Sequence, residues 1–298
     1  MNISELGTEQ TNLASAALDT KTALEIATII NHEDSKVAVA VEKALPRIAL
    51  AIDAIAETIR MNGRLIYVGA GSSGRIAALD AAECPPTFNT DPKTVQYVIA
   101  GGEKALSRAR EVREDSNTAG VRDLRKLKPN RKDVVVGISA SGRTPYTIAA
   151  IEFARKQGTK TVAVTCNAHS PLGRAAEIDI VAEVGPEVLS GSTRMKAGSA
   201  QKMVLNMLTT GTMARLGYIY GNLMVNVHTK NKKLVERGLT ILQQAAGVDE
   251  AKAARALKSA GNQVAVALIS LKTGLGRTEA GEKLKRTKGN VRRAIESD

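Results

Sequence analysis

With 298 residues, 43% of them hydrophobic, the chain is long enough for one large domain or for one domain with a helical appendage. Membrane spans, disulfides and structural zinc are all disfavoured: no apolar run approaches the roughly 18 residues that cross a bilayer, Cys84 and Cys166 lie far apart, and His32, His169 and His228 lack ligand spacing, so a cytoplasmic, metal-free protein is expected. The net charge of +12 invites a nucleic-acid reading, but residues 229–298 hold 15 of the 42 basic side chains against 7 of the 30 acidic ones, and with 2% aromatics and no Trp the excess reads as a solvated basic face without a stacking platform.

Residues 1–62 are expected to be helical. From Thr20 to Met61 apolar residues recur at helical spacing, as in Val37 to Leu45 and Ile48 to Ile52, with Pro46 as a break and Asn62-Gly63 as the stop. Residues 63–228 then alternate short apolar runs with helical stretches. Arg64 to Val68, Val95 to Ala100, Val134 to Ile138, Thr161 to Thr165 and Ile178 to Ala182 are expected to form a five-stranded parallel sheet buried on both faces. The fold class is therefore α/β, a three-layer αβα sandwich of flavodoxin-like type. A helix from about Ala197 to Leu216 should lie against the sheet. Residues 229–298 carry no strand signal, are punctuated by Gly261, Gly274 and Gly276, and are expected to make a helical subdomain.

Two turns at strand ends carry the chemistry. The third strand runs into Ser139-Ala140-Ser141-Gly142-Arg143-Thr144-Pro145, where hydroxyls, backbone N–H groups and a helix N-terminus can hold a phosphate monoester without a metal. The first strand runs into Gly69-Ala70-Gly71-Ser72-Ser73-Gly74-Arg75, a G-x-G-x-x-G match in strand-to-helix context. A dinucleotide site wants an acidic residue at the end of the second strand, yet Asp91 precedes that strand and Glu103 follows well after it. A P-loop wants a Lys and a metal-binding hydroxyl where Arg75 and Ile76 stand. What remains is a glycine turn whose Ser72 and Ser73 suit a sugar or a monophosphate.

Both turns open on the carboxyl edge of the sheet and can converge on one ligand. A third polar segment, Glu187 to Gly198, opens the long helix and adds donors there. Among carboxylates, Glu83 precedes Pro85-Pro86, which are expected to force the chain away and let the side chain return to that edge. Glu111, Glu114 and Asp115 follow the second strand, and the residues alone do not choose among them.

These stretches resemble the N-acetylmuramic acid 6-phosphate etherases, a family of sugar isomerase (SIS) domain proteins. The most specific part is the pairing of Gly69 to Arg75 with Asp80-Ala81-Ala82-Glu83-Cys84-Pro85-Pro86-Thr87. The match continues in order through Ile99 to Glu103, Glu114-Asp115-Ser116, Ser139 to Tyr146, Ser192 to Lys202 and Gly221 to Val225, and loosens only at the extreme C-terminus.

The resemblance implies a lyase that turns N-acetylmuramic acid 6-phosphate and water into N-acetylglucosamine 6-phosphate and D-lactate during recycling of cell-wall sugars, with no cofactor. Ring opening exposes a C1 aldehyde that acidifies the proton on C2; a base removes it, lactate leaves C3, and water adds to the unsaturated aldehyde. That sequence needs two proton-transfer groups. The resemblance implies Glu83 as proton donor to the departing lactate and Glu114 as the second catalytic group. It also implies Ser73, Ser139, Ser141 and Thr144 on the 6-phosphate, with Ser72 in the same turn, and Glu187, Ser192 and Arg194 on the sugar or in a partner subunit's site. A homodimer paired through sheet-flanking helices is expected, with no nucleic-acid or membrane partner.

Two other readings stand beside it. An aldose-ketose isomerase shares the ring opening and C2 proton removal but has no leaving group, and Glu83-Cys84-Pro85-Pro86 is the discriminator. A non-catalytic sugar-phosphate sensor needs either a helix-turn-helix in residues 1–60 or two such domains, and the chain offers neither.

Overall fold

In the computed structural model, residues 6–108, 114–227 and 232–297 are described. Glu111 and His228 lie outside them. Five apolar runs form the strands β1 (Leu65–Gly69), β2 (Val95–Ile99), β3 (Val134–Ile138), β4 (Lys160–Thr165) and β5 (Ile178–Val181). They make one all-parallel sheet in the order β2-β1-β3-β4-β5. Every residue of β1 and β3 is buried, which is why these runs show no alternation. The expected α/β sandwich is the observed one. Its strand order reverses between β1 and β3, the position at which open α/β sheets bind ligands. Gly69 pairs with Ile138, so the two polar turns leave the sheet at the same level.

Helices α1 (Ala23–Asp34), α2 (Lys36–Lys43) and α3 (Leu45–Arg60) precede the sheet. Thr22 and Glu25 form a capping box at the start of α1. Pro46 falls in the first turn of α3, where no backbone donor is required, so the chain restarts a helix there. The connections carry α4 (Gly71–Phe88), α5 (Lys104–Ser107), α6 (Asn117–Lys126), α7 (Pro145–Lys156) and α8 (Pro171–Ala175), and α9 (Lys196–Leu216) follows β5. One face of the sheet is covered by Leu124, Tyr146, Ala150, Ile151 and Leu172, packed on Ile66, Val68, Val135 and Ala163.

α4 departs from expectation at its end. It continues through Pro85 and Pro86 to Phe88. Each proline removes one backbone donor, yet the helix runs on through both, and Glu83 stays within it on an exposed surface.

The chain divides into two compact units, Met1–Ala81 with Lys93–Thr209 and Ala82–Pro92 with Thr210–Asp298. The division runs through α4 and α9 and not at the expected boundary after residue 228. The second unit contains α10 (Lys232–Ala246), α11 (Glu250–Ser259), α12 (Val264–Thr273), α13 (Arg277–Arg286) and α14 (Val291–Glu296). Its core is its own: α12 is buried along most of its length, against Leu242, Leu257 and Val291. Among the described residues no helix is long and apolar enough to cross a membrane.

Candidate active site

The two polar turns enclose a cavity of about 430 Å³, within the range for a small phosphorylated ligand. Ser72, Ser73, Ser139, Ser141, Thr144 and Glu114 line it. On the β3 side, Ser139 Oγ lies 2.8 Å from Thr144 Oγ1 and 3.4 Å from Ser141 Oγ. Each serine is steadied by a backbone donor: Gly142 N–H to Ser139 Oγ at 3.1 Å and Arg143 N–H to Ser141 Oγ at 3.2 Å. Thr144 is the N-cap residue of α7, but its hydroxyl makes no capping bond and turns to the serines instead. A compact triad of hydroxyls results, suited to the oxygens of a phosphate.

On the β1 side, close packing sets the glycines. A Cβ on Gly74 would stand 2.5 Å from Ile99 Cγ1, so only glycine lets α4 sit this close to the sheet. Gly71 has φ +52°, and a Cβ there would stand 2.8 Å from Glu114 Oε1. The carboxylate of Glu114 thus rests against the first residue of α4, at the positive end of an 18-residue helix. Its backbone is fixed as well, since its carbonyl accepts from Tyr146 N–H at 3.0 Å in the first turn of α7.

Other expected contacts are not in the cavity lining. Glu187 is fully buried, and its two oxygens accept from Lys196 N–H and Ala197 N–H at 2.9 Å each, so it caps α9 and does not face a ligand. Burial raises its pKa, opposed by those two hydrogen bonds. Burial, with the nearby Glu187 charge, also pushes the Cys166 thiol up to about 12, which makes it inert. In the 189–195 loop, Gly191 and Thr193 line the cavity, whereas Ser192 and exposed Arg194 do not. Glu83 is exposed on α4 and is not in the lining either.

Three polar side chains of the lining are not among the expected site residues: Glu9, Arg75 and Thr193. Glu9 arrives through long-range lacing. Asn12 Nδ2 donates to Pro186 O (3.1 Å), Ser15 Oγ to Val188 O (2.7 Å) and Asn167 Nδ2 to Thr8 Oγ1 (3.1 Å). These bonds lay the N-terminal segment along the 186–191 loop, within reach of Gly191. The same region is pinned by Lys196, whose Nζ pairs with Glu33 Oε2 at 2.6 Å while both side chains are buried. Burial opposes ionisation of Glu33, but its bonds from Lys196, Lys36 and Asn12 prevail and hold it at about 2.

A further buried carboxylate, Asp80, ties α4 to the sheet and to α9. Tyr67 O–H donates to its Oδ2 at 2.8 Å and Thr209 O–H to its Oδ1 at 3.1 Å. With the Asn206 amide assigned so that its nitrogen faces Asp80, that nitrogen lies 3.3 Å from Oδ1 and its oxygen accepts from Lys202 Nζ at 2.7 Å. Burial outweighs these bonds and the Lys202 charge, raising Asp80 from 3.8 to about 6.

A glucokinase regulatory protein N-terminal SIS domain model matches residues 47–155, and a SIS domain model matches residues 119–211. A phosphoheptose isomerase from Neisseria gonorrhoeae shares the fold, with a TM-score of 0.50 at 18% identity over 65% of this chain and all of that one. Curated relatives are far more similar. N-acetylmuramic acid 6-phosphate etherase 1 of Enterococcus faecalis is 49% identical over 98% of this chain and 97% of its own length. The N-acetylmuramic acid 6-phosphate etherase of Symbiobacterium thermophilum is 54% identical over 92% of this chain and 91% of its own. At that identity and coverage, the chain belongs to the N-acetylmuramic acid 6-phosphate etherase family.

Proposed function

We propose that the chain cleaves the D-lactyl ether of N-acetylmuramic acid 6-phosphate, by elimination and water addition, to give N-acetylglucosamine 6-phosphate and D-lactate. The observation that carries this reading is the near-full-length identity to etherases. The cavity supports it chemically, because a cradle of neutral hydroxyls and a carboxylate open on the same space.

In this reading Ser72, Ser73, Ser139, Ser141 and Thr144 hold the 6-phosphate. Glu114 is the base that takes the C2 proton once the aldehyde is exposed. Its carboxylate sits against the start of α4, and a fixed backbone keeps it aimed. Glu83 protonates the departing lactyl oxygen. Because it is exposed and outside the cavity lining of its own chain, the proposal includes a homodimer in which a second copy presents it to the substrate.

The test is incubation of the purified chain with N-acetylmuramic acid 6-phosphate in the presence of chelator. D-lactate should appear with oxygen from labelled water at C3 of the product. A folded sample that releases no lactate refutes the assignment.

A further inference from the structure

Arg75 stands where a P-loop would carry its Lys. It lines the cavity beside Ser72 and Ser73, one helical turn beyond Gly71. Side chains on a helix lean toward its N-terminus, so Arg75 covers the turn that holds Gly71 and Ser72. Its Nε donates to Ala105 O at 3.0 Å, which fixes the plane of the guanidinium and leaves the Nη edge for a ligand. Among the described residues that line the cavity it is the one cation, beside the carboxylates of Glu9 and Glu114.

The substrate of the proposed reaction carries two anionic groups. The 6-phosphate has a cradle of neutral hydroxyls at Ser139, Ser141 and Thr144. The lactyl group on O3 carries a carboxylate, and in a cavity that also holds two protein carboxylates it needs a compensating charge. A guanidinium edge matches a carboxylate with two parallel N–H donors. Arg75 shares α4 with Ser72 and Ser73 but not with the Ser139, Ser141 and Thr144 triad, so its guanidinium can serve the lactyl carboxylate while the triad carries the phosphate.

We propose that Arg75 is the specificity-determining residue that binds the lactyl carboxylate and so separates the ether substrate from sugar phosphates that lack the lactyl group. The inference rests on the etherase reading and deepens it. It also gives the leaving group a handle: when the C3–O bond breaks, the electron pair goes to the lactyl oxygen, a proton is added there, and the carboxylate stays paired with Arg75 until D-lactate departs.

The experiment compares wild type, Arg75→Gln and Arg75→Lys with two ligands. N-acetylmuramic acid 6-phosphate is assayed by lactate release, and N-acetylglucosamine 6-phosphate, which has the phosphate but no carboxylate, is measured by calorimetric binding. Arg75→Gln should lose about 100-fold in kcat/KM, mainly through KM, with unchanged affinity for N-acetylglucosamine 6-phosphate; Arg75→Lys should recover part of the loss. Equal losses for both ligands would move Arg75 to the phosphate, and no loss for either would reduce it to a tether for Ala105; both results overturn the proposal. If Arg75→Gln does not fold, the same selectivity is read from Arg75→Lys. A wild type that releases no lactate refutes the etherase reading itself, whereas an active wild type with an indifferent Arg75→Gln refutes only the role of Arg75.

Discussion

Gly71→Ala isolates the geometry of the carboxylate proposed as the base, Glu114. The added Cβ would stand 2.8 Å from Glu114 Oε1 and 3.7 Å from its Cδ. Comfortable carbon–oxygen contact is about 3.3 Å, so the carboxylate must withdraw by about half an ångström. A misplacement of about 1 Å can cost about 100-fold in rate, so half of it predicts about a tenfold loss in kcat. The left-handed conformation at φ +52° costs alanine a further 1–2 kcal/mol or so in stability, which lowers Tm by roughly 2–8 °C in a chain of this size. Lactate release and thermal melting, measured on the same sample, separate the two effects. Gly158→Ala is the control: at φ +73° it carries the same left-handed cost, its Cβ would meet only Arg131 Cβ at 3.8 Å and it is not in the cavity lining, so it should lower Tm with kcat intact below the melting range. In a Glu114→Gln background, Gly71→Ala should slow turnover no further. Wild-type kcat in Gly71→Ala, with only Tm reduced, would show that the position of the Glu114 carboxylate does not limit the reaction.

The remaining predictions concern charge and assembly. Asp80 binds its proton more tightly folded than unfolded, so its contribution is fully favourable below pH 3.8 and is lost as the pH rises to about 6; at neutral pH the ionised group costs about 3 kcal/mol. Urea unfolding of Asp80→Asn should lack that component, and stability differences from wild type that stay constant between pH 4 and 7 would contradict it. Removing one partner of the buried pair in Lys196→Met should cost about 3–5 kcal/mol, and adding Glu33→Leu should restore much of it; additive losses would mean that the two charges are not coupled. Mixing inactive Glu83→Gln and Glu114→Gln chains should restore about a quarter of wild-type activity if each site takes one glutamate from each subunit, because half of randomly reassorted dimers are mixed and each holds one intact site. Mixtures that stay inactive after confirmed exchange would place both glutamates in one chain.

The parts that were legible are those written in local pattern. Strands buried on both faces must be continuous apolar runs, so β1 and β3 announce themselves, and a hydroxyl-rich turn after such a run lands at the carboxyl edge whatever the rest of the chain does. Ser139, Ser141, Thr144, Ser72 and Ser73 needed no more than that. Glu9 did need more: bonds from Asn12 to Pro186 and from Ser15 to Val188 span more than 170 positions, and no periodicity in residues 6–20 encodes them. The 187–194 loop fails for a different reason. Its composition identifies a polar segment but not which side chains face inward, and a turn that sets Thr193 in the lining leaves Ser192 and Arg194 out of it.

Carboxylates are the hardest class, because one residue type serves three ends in this chain. Glu187 neutralises the two free N–H groups at the start of α9, Asp80 is held neutral or ionised by burial near three polar side chains, and Glu114 leans on a glycine in the cavity. Each lies near a helix terminus or within a helix that reaches the same sheet edge, so spacing treats them alike. What separates them is burial and whether the side chain reaches the cavity lining. Both oxygens of Glu187 are taken by backbone N–H groups and it is fully buried, so it has no access to substrate. Glu114 is half-buried and lines the cavity, which is the setting that the proposed base requires.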